Sequence, residues 1–469
     1  MPSGLGWRMP ISSKGIRPGR VLYRNLMRIK ISDKNMRKNL KYCLQKWESM
    51  HNYRYKMEVE AMLCQFTVKN YKSIREEITF DMQAAAIMEH RDRIIQTEDG
   101  EDFLPVSVIY GPNGGGKSNV LEALHTLDAK VLRPLCATCD KTECEYKARK
   151  IPVEPFAFSE EMRKEPTEFE VFFRTGIAEY CYVLHVKQDL VVYEVLDRIK
   201  LDTGRRSLLF VRNGNEVELK GVFGKIKISE EISGNLPLLS YLGITYKKNE
   251  VISDVIGWFE DSIDFLNYGN PRQELRTAIA KTDEVKKLML DMIHEMDLDI
   301  EDFRIEEKEE NHIEVYTKHT VNGYSTELAL SEESSGTKKL FGLLPFIARS
   351  LVTGTTLVID ELDAKVHPVL LRYVIMLFNN MEINRNGAQL IFTSHDLSTM
   401  NNDIFRRDEI WFVAKGKEQN SKLYSLVEFK NTKGESVRMD AKYDKQYLEG
   451  KYGADPYLKT IIDWRDVNA

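Results

Sequence analysis

The chain lacks the long apolar runs, the disulfide framework and the overall positive charge that would place it in a membrane, in a secreted scaffold or along a duplex. No stretch approaches the roughly 18 apolar residues of a membrane span, so no membrane partner is expected. Six cysteines in 469 residues, with no secretory signal ahead of them, exclude a disulfide-built fold and fit a reducing cytoplasm. Cys136, Cys139 and Cys144 cluster, with His125 nearby in sequence, but no second ligand pair follows at a finger-like spacing. They read as free thiols rather than a zinc site. Sustained apolar heptads are missing, which excludes long coiled-coil arms. The net charge is −5, which disfavours tight duplex binding by the main body.

The charge is unevenly spread. Residues 1–61 hold 14 Lys or Arg against four acids, leaving 53 against 68 in the remainder. This first segment is Gly/Pro/Ser-rich and then basic, with poor periodicity. A DNA- or RNA-binding arm is one reading, and an Arg-rich transit peptide another. A disordered extension or an over-called start is favoured, because Met50, Met57 and Met62 offer internal starts and MLCQFTVKNYKSI from Met62 reads as a first strand and turn.

What the chain does have is VSVIYGPNGGGKSNVLEALHTL, Val106–Leu127. It reads as a buried strand ending at Tyr110, a glycine-rich turn and a helix opening at Lys117. Gly111, Gly116, Lys117 and Ser118 meet the pattern G-x-x-x-x-G-K-[ST] in its strand–loop–helix setting. The run Gly111, Pro112, Asn113, Gly114, Gly115, Gly116 would curl backbone N–H groups around a phosphate chain, with Asn119 in the first helical turn adding to the cradle. Lys117 would reach the β- and γ-phosphates of ATP, and Ser118 would hold Mg²⁺.

Strands are expected at Leu63–Val68 and Ile78–Met82, then, after a polar and aperiodic stretch from about Ala129 to Ile151, at 168–174, 179–186, 191–196 and 207–211 as an antiparallel meander. From about Ile232 the period becomes helical. Ile252, Val255, Ile256, Phe259, Ile263 and Leu266 fall on one helical face, and Val285, Leu288, Met292 and Met296 on another. Strands return at 312–318 and 327–330. A loop and helix follow at SEESSGTKKLFGLLPFIARSL, then buried strands at TLVI, at Ala388–Thr393 and at Glu409–Val413. This order predicts an α/β P-loop fold, a mixed sheet flanked by helices, with a β-meander and helices inserted. The expected parts are an extension (1–61), an N-terminal half of the head (62–230), a helical insertion (231–300) and a C-terminal half (301–469).

Thr356–Ile359 runs into Asp360 and Glu361, the Walker B arrangement when a P-loop is present. Asp360 would hold the Mg²⁺ shell and Glu361 would act as general base. Of the other strand-end acids, Asp396 follows His395, and Asp408-Glu409 reads as a solvated, charged turn.

Together, GPNGGGKSN, ESSGT, LVIDELDAKVHP and FTSHD resemble the ATP-binding-cassette heads of RecF, SMC and OLD-type ATPases. Adding the opening MLCQFTVKNYKSI, DEIWFVAK and the closing YLEGKYGADPY, residues 62 to the C-terminus resemble the AbiLi/RloA-type ATPases of phage-defence operons. The resemblance implies a homodimer or higher homo-oligomer with ATP between two subunits. It assigns Ser334, Ser335 and Gly336 to the signature loop acting in trans on the γ-phosphate, Asp363 to the loop crossing the interface, and His395 to the γ-phosphate switch. ESSGT stands where transporters have LSGGQ, and no glutamine can be placed after Walker A, Gln188 being in the wrong context. The implied function is a sensor or regulatory ATPase acting with a separate, nuclease-like effector, since too few residues follow the last strand for an appended nuclease. The alternative is a RecF-like repair ATPase. Deleting residues 1–61 is expected to leave folding and ATP turnover intact, measured on the purified truncation. Insoluble protein would show that the segment completes the core.

Overall fold

The computed structural model describes residues 61–136, 152–228, 231–266, 283–296, 299–308, 312–430 and 434–454. The segment 1–60, with the basic stretch, lies outside them, as do Cys139 and Cys144.

Alternating burial builds the first sheet. Its strands are β1 (Ala61–Lys69) and β2 (Ile78–Asp81). A two-residue ribbon, β3 (Ile95–Gln96) with β4 (Asp102–Phe103), precedes the P-loop strand β5 (Val106–Tyr110) and helix α1 (Lys117–Cys136). The meander follows as β6 (Thr167–Thr175), β7 (Ala178–Lys187), β8 (Leu190–Lys200), β9 (Arg206–Asn213) and a further short β10 (Glu216–Leu219). Every second side chain of β7 is buried, so the sheet packs one face on the core. Its order is β10-β9-β8-β7-β6-β1-β2, antiparallel throughout.

Helices α2 (Leu238–Thr245) and α3 (Glu250–Asp261) come next, then β11 (Ile263–Leu266) and α4 (Asp283–Glu295). Strands β12 (Asp302–Lys308), β13 (His312–Val321) and β14 (Tyr324–Ala329) form a separate three-stranded sheet. The chain continues as α5 (Ser335–Thr353), β15 (Thr356–Ile359), α6 (Pro368–Asn379), β16 (Gln389–Thr393), β17 (Ile410–Lys415), β18 (Ser421–Ser425) and α7 (Tyr443–Leu448). The second large sheet runs β11-β15-β16-β5-β17-β18, parallel except for β18. It is buried on both faces. Ile109, Val358, Ile391 and Val413 face the core shared with the meander, α1, α2 and α3, whereas Val108, Leu357, Phe392 and Phe412 face α4, α5 and α6. This is the mixed α/β, P-loop NTPase head that the motif order predicts, and no helix among the described residues is long and apolar enough to cross a membrane.

Three expectations are corrected. Ile263 and Leu266 are not helical: α3 ends at Ser262, whose carbonyl accepts from Thr356 N (2.8 Å), and the chain pairs parallel with β15. Positions three apart share a face of a helix but not of a strand, and Ile263 and Leu266 indeed enter opposite cores. The aperiodic stretch after Ala129 is helical through Cys136, despite Pro134, because α2 packs closely on it. The Ser240 hydroxyl donates to Val131 O (2.7 Å), and a Cβ on Gly243 would stand 2.9 Å from Leu135.

The third correction is Asp408-Glu409, expected in solvent and found 4 % and 0 % exposed. Arg406 folds back to donate to both oxygens of Asp408 (2.9 and 2.6 Å), neutralising a run of charges that reads as solvated. Glu409 Oε2 accepts from Arg406 N (2.8 Å) while Oε1 has no hydrogen-bond partner.

The two large sheets are joined by one amide. Gln389 Oε1 accepts from Leu63 N (2.8 Å) and from Thr356 Oγ1 (3.0 Å), and Nε2 donates to Leu63 O (3.1 Å) and Leu104 O (3.3 Å). The β1–β6 register slips between Leu63 and Gln65, a bulge at the point where the Leu63 main chain turns to Gln389.

Burial, with the Asp408 charge adding to it, pushes the Glu409 pKa up from 4.5 to about 8. Between those values the folded chain keeps a proton that the unfolded chain releases. The resulting stability is complete below about pH 4.5 and declines as pH rises to about 8. Glu409→Gln is expected to flatten that decline, raising stability at pH 8 relative to wild type by on the order of a few kcal/mol. Urea unfolding at pH 5 and pH 8 measures it, and equal pH dependence in both proteins would show that Glu409 is charged where it stands.

Candidate functional site

The loop after β5 is held by contacts that only glycine permits. Gly111 lies so close to β17 that a Cβ would fall on the Val413 carbonyl, and at Gly116, with φ +107°, a Cβ would strike the hydroxyls of Ser421 and Ser73. Gly115 N donates to Pro112 O (3.0 Å), closing the turn, while Asn113 and Gly114 are exposed at its tip. The Ser421 hydroxyl donates to Gly115 O (2.7 Å) and lies 2.8 Å from Ser73 Oγ, which also accepts from Asn119 Nδ2 (2.6 Å). The loop is thus clamped between the first turn of the chain's β1–β2 unit and the start of β18. Sequence reasoning missed both serines; Ser73 sits in the NYKS turn, but nothing in sequence brings Ser421 to it.

Lys117 is 6 % exposed. Its Nζ donates to Gly111 O (3.0 Å) and Pro112 O (3.3 Å) and forms no ion pair among the described residues. Burial lowers its pKa, and the negative charges of Asp360, Glu361 and Asp363 act against that shift. Ser118 is exposed one residue on, at the N-terminus of α1.

The carboxylates follow β15, and the groups that hold them come from the end of β16. Strand β16 lies between β15 and β5, so its terminal residues stand between the two halves of the motif. The Thr393 hydroxyl donates to Asp360 Oδ1 (2.5 Å) and accepts from Glu361 N (2.7 Å), tying both acidic residues to one side chain. Glu361 adopts φ 53°, ψ 51° as the chain enters a single 3₁₀ turn, Leu362–Lys365, a left-handed conformation that costs a non-glycine residue about 1 kcal/mol or more. Its carboxylate is exposed and makes no hydrogen bond or ion pair among the described residues. Asp363 Oδ2 accepts from His395 N (3.0 Å), and its Oδ1 is buried without a hydrogen-bond partner. Next to it, His367 serves as the N-cap of α6, accepting from Val369 N (3.3 Å).

Ser334, Ser335 and Gly336 stand apart. Ser334 caps α5, its Oγ accepting from Thr337 N (3.1 Å), and all three residues are exposed. No hydrogen bond among the described residues joins them to the P-loop or the carboxylates. The N-terminus of this 19-residue helix presents free N–H groups and a positive dipole end. Gln188 occupies the exposed β7–β8 turn at φ 50°, and the glutamine ligand after Walker A has no counterpart there.

A glycine cradle, a buried unpaired ammonium and carboxylates at neighbouring strand ends suit a nucleotide's phosphates. The family described as "AAA domain, putative AbiEii toxin, Type IV TA system" matches residues 106–401. The chain belongs to this AAA family. No curated protein matches it. Among solved structures, it is similar to the SmcHead bound to the C-winged helix domain of ScpA at 12 % identity and TM-score 0.40, covering 77 % of this chain and 97 % of that one. The SMC head domain from Thermotoga maritima is 15 % identical at TM-score 0.33, covering 77 % and 98 %. The Smc head domain with coiled coil and joint from Pyrococcus yayanosii is 12 % identical at TM-score 0.39, covering 83 % and 99 %.

As a member of this AAA family, the chain offers residues that fit a nucleotide and its metal ion. Gly111, Gly115 and Gly116 press the loop against Val413, Pro112 and the two serines, and the orphaned Asp363 oxygen and the exposed Glu361 carboxylate supply negative charge that acts on Lys117. Thr393→Val is expected to cost about 1–3 kcal/mol, because it orphans the Glu361 amide and frees Asp360. Thr393→Ser, which keeps the hydroxyl, is expected to cost less than half as much. Denaturant midpoints decide this, and a Thr393→Val protein as stable as wild type would show that the hydroxyl fastens nothing.

Proposed function

We propose that this chain binds and hydrolyses ATP as a homodimer or higher homo-oligomer and serves as the sensor ATPase of an antiphage, abortive-infection system with a separate effector. The observation that carries the hydrolytic part is the contrast between Lys117 and Glu361. The cation is buried and held by loop carbonyls alone, so incoming phosphate charge is its natural partner. The carboxylate is exposed and unpaired, with its backbone fixed by Thr393, so it is available to take a proton from water.

In this mechanism the Gly111–Gly116 backbone and the α1 N-terminus bind the phosphate chain. Lys117 balances charge at the β- and γ-phosphates, and Glu361 orients and deprotonates the attacking water. Ser118 and Asp360 would hold Mg²⁺, which supplies charge neutralisation at the phosphates when bound. His395, its backbone fixed to Asp363, would respond to the γ-phosphate. Ser334, Ser335 and Gly336 would reach the nucleotide of a second copy with a hydroxyl and helix N–H groups, and Asp363 would lie at that interface. The free, exposed state of the α5 N-terminus supports action on another subunit. The antiphage role is supported by the AbiLi/RloA resemblance and by the toxin–antitoxin description of the matched family.

Lys117→Ala is expected to abolish ATP turnover. Glu361→Gln is expected to keep ATP binding, lose about 10²–10⁴-fold in hydrolysis and accumulate as an ATP-bound dimer by light scattering. Wild-type turnover in either variant would place the chemistry elsewhere, and an ATP-loaded Glu361→Gln protein that stays monomeric would remove the dimer. Expressed alone the chain should be harmless to cells, with toxicity appearing on co-expression with the neighbouring effector only when Lys117 is intact.

A further inference from the structure

Glu333 stands directly before the Ser334 cap of α5, and its side chain is only 9 % exposed. A carboxylate at that depth needs hydrogen-bond donors, and the strand β13 provides them. The Thr317 hydroxyl donates to Glu333 Oε1, and His319 Nε2 lies 2.6 Å from the same oxygen. A carboxylate only accepts, so Nε2 carries the proton in this bond. Burial raises the Glu333 pKa, but the Thr317 hydroxyl, the His319 ring and the Ser334 N–H outweigh it and hold the group below the usual carboxylate range. The main chain adds a second fastening: Leu330 N donates to Val315 O (2.8 Å), and Glu333 N donates to Leu330 O (3.3 Å).

The loop 330–334 is therefore bolted to β13 at two places. Strand β13 is the centre of the three-stranded sheet, which is itself seated on α5 through Phe303 against Phe341 (5.5 Å, perpendicular rings). Beyond Glu333 the residues Ser334–Gly336 are exposed; apart from the Ser334 N–H on the Glu333 carboxylate, their hydrogen bonds among the described residues lie within the first turn of α5. The bolt lies directly behind that helix end, at the residue before its N-cap.

We infer that Glu333 is a positioning residue: clamped by Thr317 and His319, it aims Ser334–Gly336 at the nucleotide of a second copy, so that the three-stranded sheet governs ATP-dependent association. This rests on the two-subunit ATP site proposed above. A displacement of β13 pulls on Glu333 and moves the helix end, whereas the P-loop of the same chain is held by other contacts, those of Ser73, Ser421 and β17.

The test uses full-length chains. Glu333→Ala and, from the other side of the clamp, His319→Leu are expected to keep ATP affinity within about twofold while weakening ATP-dependent association at least tenfold in the Glu361→Gln background; Glu333→Gln, which still accepts both bonds, should retain most of it. Mixing is decisive. In a pair formed by one Glu333→Ala chain and one Lys117→Ala chain, one of the two sites has an intact P-loop and an intact partner loop, so association and turnover return. If Glu333 merely holds the fold together, the Glu333→Ala chain binds ATP poorly and mixing restores nothing, which overturns the inference. A control mixture of Ser334→Arg with Lys117→Ala tests the shared site itself. Failure of the control removes the two-subunit reading and this inference with it, whereas a control that succeeds beside a failed Glu333→Ala mixture removes the inference alone.

Discussion

A lysine buried without an ion pair among the described residues is the constraint around which the P-loop and the strand-end acids are arranged. Burial lowers the Lys117 pKa, the carboxylates of Asp360, Glu361 and Asp363 act against that shift, two carbonyls of its own loop accept from Nζ, and each of those groups has to be held in place by something else. The carbonyls are fixed because Gly111 presses on β17 and Ser421 holds Gly115. The carboxylates are fixed because Thr393 holds Asp360 and the Glu361 backbone, and because Asp363 is capped by His395 N. Had a carboxylate paired directly with Lys117, the attraction would have been settled within the chain, and phosphate would have to displace it.

That arrangement depends on sheet order. Placing β16 between β5 and β15 puts the Thr393 hydroxyl within reach of the Walker B acids and sets His395 beside Asp363. The antiparallel sheet contributes from outside: its β1–β2 turn supplies Ser73, and Gln389 fixes β1 to β15 and β16 with four hydrogen bonds. Such a fully satisfied buried amide holds two sheets in one register, since a slip would orphan several polar groups together. The aromatic closing segment acts similarly on the other side, where Tyr447 and Tyr452 pack on Phe412 at 5.5 and 5.1 Å.

Ser334–Gly336, in contrast, are left uncommitted by the chain. Their N-cap is formed and the helix behind them is long and well packed, but its N-terminal end faces solvent. Among the described residues, the preceding Glu333 is held by Thr317 and His319, on a sheet that belongs to neither of the two large ones. The P-loop and the α5 N-terminus are thus held by different parts of the fold.

The sequence by itself determined the local pieces, because each is set by short-range chemistry. Gly111–Ser118 between a β-branched run and a helix, TLVI running into Asp360-Glu361, and the alternation of β6 to β9 are all legible from residues a few positions apart. The family resemblance added roles for Ser334, Asp363 and His395 that spacing alone does not give. What the tertiary structure decided is everything that depends on strands distant in sequence. Ile263 and Leu266 carry helical spacing yet form a strand, because the open edge of β15 offers main-chain partners. Asp408-Glu409 reads as solvated yet is buried, because Arg406 folds back on Asp408 while Arg407 pairs with Glu89 beside it. Thr393, Ser421, Gln389 and Glu333 are ordinary polar residues in sequence. Each acquires its contacts from a partner that the fold delivers across 14 to 348 positions of chain, a separation over which no local pattern survives.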